Sequence, residues 1–263
     1  MATDPIVIVS YARTPMGGLS GALGAVKSTD LGATAVRAAC ERAGVSGDQV
    51  DKIYMGCVLP AGLGQAPARQ AALGAGLPKS VEATTVNKMC GSGMQAAMMA
   101  FDALAAGSAD VVVAGGMESM SNAPYLLAKH RSGARIGHDV VKDSMFLDGL
   151  EDAYAQGKLM GAFAEESASK YQFTREAQDA YAVQSLKRAQ QAIKTGAFTR
   201  EIAPVTVPGS RGGSTTVVDD EQPGKAQFDK IPQLKPAFAK DGTITAANAS
   251  SISDGAAALA PIG

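Results

Sequence analysis

The sequence predicts a layered α/β fold with a mostly parallel, buried sheet. Three observations carry that expectation. Short β-branched runs alternate with stretches of helical periodicity four times before Ser119. The connections between them are short and hold Gly, Pro and helix-capping residue types. Hydrophobic residues make up 46% of the chain and charged residues 19%, enough apolar surface to cover a sheet on both faces. At 263 residues the chain has the size of one or two domains.

The elements follow in order. Ile6-Val-Ile-Val9 reads as a buried strand. Thr29 and Asp30 offer N-caps for a helix that runs to about Ala43 and is closed by Gly44. Val50 to Val58 is a second strand. Pro67 to Ala75 is an Ala-rich helix ended by Gly76 and Pro78. Ala83 to Val86 is a third strand, and Ser92 to Ala106 a small-residue helix stopped by Gly107. Val111 to Ala114 is a fourth strand leading into Gly115-Gly116.

Near Ser119 the texture changes to longer connections and scattered charge. Two helices are expected there, Phe163 to Lys170 and Glu176 to Thr195, the second capped by Thr174. Pro204 to Pro208 reads as a strand, and the polar Gly209 to Gly224 as loop. Pro223, Pro232 and Pro236 are expected to exclude helix around them. The α/β texture returns at Thr243-Ile-Thr, Asn248 to Ser253 and Gly255-Ala-Ala-Ala-Leu. These shifts divide the chain into an α/β domain over 1–118, an inserted loop domain over 119–246, and a return to the first domain over 247–263.

Composition excludes several functions. With 24 Lys+Arg against 25 Asp+Glu there is no basic excess to neutralise a phosphate backbone, so nucleic acid is not an expected partner. Trp is absent and aromatics are 5%, too few for a base-stacking platform. No apolar run approaches the roughly 20 residues of a membrane span. The start, MATDPIVIVSYAR, puts an acid where a secretory signal has basic residues. Cys40, Cys57 and Cys90 cannot all pair, which fits a reducing, cytoplasmic setting. No Cys/His spacing suits a metal, and neither Gly-rich turn continues as a dinucleotide or nucleotide-triphosphate motif.

The sharpest local signal is Val86-Asn-Lys-Met-Cys90-Gly-Ser-Gly93-Met94. A strand ends, a cysteine follows, two glycines permit a tight turn, and a helix begins. A sulfur there meets the positive end of the helix macrodipole, which favours the thiolate. Free N–H groups of the first turn are placed to stabilise an oxyanion. The plainer reading of such a cysteine is a small apolar core residue. Glu118, after a buried strand, reads as a structural hydrogen-bond acceptor.

Val86 to Gly93 closely resembles the acyl-cysteine motif of thiolases. Gly115-Gly-Met-Glu-Ser-Met-Ser121 is similar to that family's second signature. Ser10 to Pro15, Gly157 to Glu165, Leu234 to Phe238 and Thr245 to Gly255 match further blocks in family order. The resemblance implies a thiolase-like layered fold and acyl-CoA C-acetyltransferase chemistry, either condensation of two acetyl-CoA or thiolytic cleavage of a 3-ketoacyl-CoA. It implies no cofactor, since the coenzyme A thioester is the substrate. It also implies homo-oligomers, dimers or tetramers. Residue by residue, it makes Cys90 the nucleophile that becomes the acyl-enzyme. Ser250 and Ala246 match contacts to the pantetheine arm, and Phe238 and Met160 match its tunnel. Leu159 stands where many short-chain members carry His before Met-Gly. Lys225 and Lys230 are candidates for CoA phosphates, with a solvated charge as the plainer alternative.

The family's later motifs, Asn-Glu-Ala-Phe, Gly-His-Pro and Cys-x-Gly, do not occur in these 263 residues. The two histidines, His130 and His138, lie in a basic stretch from Lys129 to Lys142 that reads as a solvated or subunit-contact loop. The expectation is therefore the N-terminal and loop portion of a thiolase, inactive or severely impaired alone. The alternative is a catalytically silent CoA-binding or oligomerising fragment. A cysteine hydrolase pairing Cys90 with either histidine is weaker, because neither lies in a motif.

Overall fold

A computed structural model describes residues 5–209 and 212–263. Residues 1–4 of the first expected domain, and Ser210 and Arg211 of the expected loop, lie outside the described residues. In chain order the elements are β1 (Val7–Arg13), β2 (Gly17–Gly18), α1 (Ser28–Ala43), β3 (Lys52–Gly56), α2 (Pro67–Gly74), β4 (Glu82–Val86), α3 (Ser92–Ala105) and β5 (Val112–Ser119). There follow β6 (Tyr125–Leu126), β7 (Lys142–Asp143), α4 (Met160–Lys170) and α5 (Arg175–Thr195). Last come β8 (Val205–Pro208), β9 (Ser214–Val217), α6 (Glu221–Lys225) and β10 (Ser253–Ile262).

The chain forms two compact units. The first holds residues up to Ala123, Phe198–Glu221 and Ser253–Gly263; the second holds Pro124–Ala197 and Gln222–Ile252. Residues 119–123 and 198–221, placed by the sequence in the inserted domain, thus pack with the first unit, and residues 247–252, expected to return to the first domain, pack with the second. Val205, buried in the first unit's core, and Arg13 hold residues 198–221 on the first unit. Arg13 Nε donates to Glu201 Oε1 at 2.6 Å, and its two terminal nitrogens donate to Asp220 at 2.7 and 3.0 Å.

The first unit is a sheet in the order β1-β10-β5-β3-β4, with β2 beside β10. β3 pairs parallel with β4 and β5, while β10 pairs antiparallel with β1, β2 and β5. Every strand of this sheet except β10 therefore runs the same way. Alternate side chains serve opposite faces, as strand geometry requires. Ile53, Met55, Val113 and Met117 join α1 and α2 in one buried cluster. Val112 and Ala114 join Ala96, Ala100 and Leu104 of α3 in another. Small residues let α3 lie close. A Cβ on Gly56 would stand 2.7 Å from Ser92 Cβ and 2.8 Å from the Gly93 amide nitrogen. One on Gly115 would collide with the carbonyl of Ala257 in β10.

Several expectations need correction. The N-terminal strand is not buried: Val7, Ile8 and Val9 are 46%, 58% and 44% exposed. β1 is an edge strand, and only Ser10 and Ala12 are buried. The fourth strand does not stop at Ala114 but runs through both glycines to Ser119, because β10 pairs along that length. Neither Thr29 nor Asp30 caps α1; Lys27 holds the cap position without a side-chain bond. The expected loop over 209–224 contains β9, which pairs with β8, and the start of α6. Pro223 sits within α6 and Pro232 within a 3-10 turn, Phe228–Gln233. In short helical turns few ladder bonds exist for a proline to remove. The α/β texture returns not at Thr243-Ile-Thr, which is irregular, but at Ser253, where β10 begins. Thr174 does cap α5, accepting from the Ala177 amide at 3.2 Å, and Gly44 closes α1 in the left-handed conformation at φ 67°.

The second unit carries α4, α5 and the short β6–β7 pair. No helix among the described residues is long and apolar enough to cross a membrane.

Candidate active site

The first unit opens into a pocket of about 360 Å³ beside the start of α3. Its wall is built from five places: Arg13, Thr14 and Met16 at and after the end of β1, Met89, Cys90 and Gly93 at the α3 turn, Gly56 and Val58 at and after the end of β3, Gly116 to Glu118 in β5, and Ser253 to Ala257 in β10. Cys90 is exposed, whereas Cys40 and Cys57 are buried. Burial, helped by the charge of Glu41, pushes the Cys40 thiol up to about 11. Burial and the neighbouring Glu118 push Cys57 up to about 12. Both therefore stay protonated and inert at neutral pH.

The turn that presents Cys90 is held from within. Met89 adopts φ 50°, a left-handed conformation that a residue with a Cβ takes only when its surroundings enforce it. Asn87 Oδ1 accepts from the Met89 amide at 3.1 Å. Ser92 Oγ donates to the Met89 carbonyl at 2.6 Å and accepts from the Lys88 amide at 2.8 Å. Cys90 follows directly, and α3 runs for 14 residues from Ser92 with Gly91 as its cap. Cys90 thus sits one residue before the α3 cap and on the wall of a solvent-open pocket.

Two carboxylates that the sequence did not single out for this role shape the pocket. Asp254 of β10 is fully buried and accepts from the Ser121 amide at 3.0 Å and from Ser121 Oγ at 2.6 Å. Glu118, read from the sequence as a structural acceptor, accepts from the Val58 and Leu59 amides at 2.8 and 3.0 Å. The Cys57 thiol donates to it at 3.6 Å. Burial raises the Glu118 carboxyl above the ordinary carboxylate range, and the two amides only partly offset that.

The other named residues all belong to the second unit. Leu159 caps α4, Met160 begins it and is 46% exposed. Phe238 is half-buried, its ring over Gly161, where any Cβ would strike it. Ala246 and Ser250 are exposed on the irregular stretch after Thr245, and Lys230 is exposed on the 3-10 turn. That stretch is fixed by side chains far away in sequence. Glu165 accepts from the Thr243 amide at 2.8 Å, from Thr243 Oγ1 at 3.1 Å and from the Ile244 amide at 2.8 Å. Asn248 Nδ2 donates to Asp179 at 3.0 Å, and Asp179 in turn accepts from Arg175 at 2.7 Å. Burial is the largest influence on Glu165 and would raise its carboxyl, but the Thr243 and Ile244 hydrogen bonds outweigh it and hold it below the ordinary range. Glu165 closes the Gly157 to Glu165 block and Asn248 lies in the Thr245 to Gly255 block, so these residues were legible while their partners, Thr243, Ile244 and Asp179, were not. His130 and His138 are exposed in this unit, with His130 Nδ1 3.0 Å from Asp139.

Comparison with known proteins bears on the family and the fold. The family model for the thiolase N-terminal domain matches residues 6–260. Acetyl-CoA acetyltransferase 2 of Arabidopsis thaliana is 56% identical over 97% of this chain, which spans 63% of that protein. Acetyl-CoA acetyltransferase of Schizosaccharomyces pombe is 47% identical over 98% of this chain, which spans 66% of it. The crystal structure of the Acat5 thiolase from Ascaris suum in complex with coenzyme A superposes with a TM-score of 0.91 at 38% identity. That match covers 99% of this chain and 66% of the other.

Proposed function

The chain belongs to the thiolase family, and on that premise we propose that it forms the acyl-enzyme of an acyl-CoA C-acetyltransferase. The observation that carries the reading is the exposed Cys90 on its left-handed turn at the head of α3, open to a pocket. In the proposed first step the Cys90 thiolate attacks the thioester carbonyl of an acyl-CoA. A carbon–sulfur bond forms to Cys90, the bond to the CoA sulfur breaks, and CoA leaves as the thiolate, which takes up a proton. The Gly91 and Ser92 amides are spent within the turn on the Lys88 and Met89 carbonyls, so the remaining amides at the head of α3 are the proposed oxyanion donors. In the second step of condensation, an acetyl-CoA deprotonated at its methyl carbon attacks the acyl-enzyme. Acetoacetyl-CoA forms and Cys90 is released. Thiolysis is the same sequence reversed.

The coenzyme A arm is assigned to the second unit. Ser250 and Ala246 are proposed as pantetheine contacts, Phe238 and Met160 as tunnel walls, Leu159 as the residue near the acyl end, and Lys230 as a phosphate contact. The Ascaris relative, crystallised with coenzyme A, supports that ligand class. Homo-oligomers and a cytoplasmic setting complete the reading. The exposed Met94, Met98 and Phe101 on α3 supply apolar surface for association. Light scattering of the 263-residue polypeptide should show oligomers, and a monodisperse monomer at micromolar concentration refutes that part.

The decisive experiment is intact-mass measurement after mixing with acetyl-CoA. One acetyl group, absent in Cys90→Ala, supports the nucleophile. No adduct with retained CoA binding favours the silent-fragment reading, and CoA release without an adduct favours a hydrolase. The 263 residues hold neither the Gly-His-Pro histidine nor the Cys-x-Gly cysteine. A polypeptide of these residues alone should therefore show no condensation, since each such group is typically worth ~10²–10⁴-fold.

A further inference from the structure

We infer that Glu118 and Asn87 are positioning residues that act as one unit to preset the turn carrying Cys90. The inference rests on the reading of Cys90 as the nucleophile. Glu118 stands on β5 and grips the stretch after β3 with both carboxylate oxygens: Oε2 takes the Val58 amide at 2.8 Å, and Oε1 takes the Leu59 amide at 3.0 Å and the Cys57 thiol at 3.6 Å. That stretch forms part of the pocket wall through Val58. It is tied on its other side to the end of β4 and the residue after it. The Cys57 amide donates to the Val86 carbonyl at 3.0 Å, and Asn87 Nδ2 donates to the Val58 carbonyl at 3.4 Å. Asn87 then spends its oxygen on the Met89 amide at 3.1 Å. Met89 is the residue forced to φ 50°, and Cys90 comes next.

The path is thus Glu118, Val58, Asn87, Met89, Cys90, all within the first unit. Each link has a physical reason. A half-buried carboxylate is costly unless both oxygens find donors, and the two consecutive amides supply them. An asparagine amide both donates and accepts, so one side chain can tie the Val58 carbonyl to the Met89 amide. A left-handed methionine needs its amide fixed, or the turn relaxes and the sulfur swings away from the α3 amides. The 3.4 Å link from Asn87 to Val58 is the longest of the nitrogen–oxygen contacts, so it is where the path is most easily cut.

The test is a double-substitution cycle on the rate of Cys90 alkylation by iodoacetamide, followed by mass spectrometry. Glu118→Gln keeps the side-chain size and one accepting oxygen; Asn87→Ala alters an exposed position. Each alone should slow alkylation about tenfold, and the double variant should be no slower than the slower single. In the Glu118→Gln protein the Met89 amide proton resonance should also move, although Glu118 does not touch Met89. Rates that multiply in the double variant, a rate unchanged in either single, or a fixed Met89 resonance overturn the inference. If Glu118→Gln does not fold, Asn87→Asp decides: it keeps the acceptor for Met89 and loses the donor to Val58. A slowed rate supports the path, and a wild-type rate ends it. Failure of the wild-type protein to take an acetyl group from acetyl-CoA would overturn the function alone, because the alkylation cycle needs no acyl-CoA.

Discussion

The two units are held together by different forces. The first buries Leu23, Leu31, Val36, Ile53, Met55, Val112 and Val113 to 0% exposure against a sheet. In the second, buried apolar side chains reduce to Met145, Ala168, Ala182, Ile231 and Ile244, beside the buried polar Ser144, Asp179 and Thr245. Its irregular 243–250 stretch is shaped by the Glu165 and Asp179 hydrogen bonds instead. The lesson is one of mechanism. Apolar burial organises the unit proposed to carry the nucleophile, where a rigid turn is needed. Charge-assisted hydrogen bonds organise the stretch proposed to meet coenzyme A, where backbone and side-chain polar groups must stay available.

The sharpest way to break that comparison is chemical labelling. If the core of the first unit is closed, iodoacetamide should modify Cys90 at neutral pH more than a hundredfold faster than Cys40 or Cys57. Burial holds the Cys40 thiol up at about 11 and the Cys57 thiol up at about 12, so almost none of either is thiolate at neutral pH, even before access is counted. Equal labelling of all three would mean that the core opens.

Substitution should then separate the two forces. Ile53→Ala removes most of a fully buried side chain and should cost about 2–5 kcal/mol, read from urea unfolding through exchange of β3 amides. Glu165→Gln should cost less, about 1–2 kcal/mol, and raise exchange at Thr243 and Ile244 while leaving β3 protected. Exposed β3 amides in Glu165→Gln would show that the units unfold as one.

Acid should move the two clamps in opposite directions. The folded Glu165 carboxyl is depressed, so its contribution is present above the unfolded value and lost as pH falls through the folded one. The folded Glu118 carboxyl is raised, so its contribution is present below the unfolded value and lost as pH rises through the folded one. On acidification the stability of the wild-type protein should therefore fall relative to Glu165→Gln and rise relative to Glu118→Gln. Parallel curves for either pair contradict the corresponding assignment.

The smallest effect belongs to the outer side of β1. Ile8 is 58% exposed, so Ile8→Ser should change stability by no more than about 0.5 kcal/mol. A loss comparable with that of Ile53→Ala would mean that something covers β1 in solution.

Local chemistry was enough to read much of this protein. Helical periodicity placed α1, α3 and α5 within a residue or two, because an apolar stripe and a terminal Gly act within a few residues of each other. The Cys90 turn was legible because strand, Gly-Ser-Gly and helix are contiguous, and the thiolase resemblance rests on such contiguous blocks. Tertiary structure alone decided what depends on distant partners. It set β10 antiparallel between β1 and β5, left β1 bare at the sheet edge, and held residues 198–221 on the first unit through Arg13 and the buried Val205. It also joined Glu118 to Val58 and Glu165 to Thr243, across 60 and 78 residues. No sequence period encodes such pairings, since a carboxylate meets an amide only after the chain has folded and the loop entropy between them is already spent.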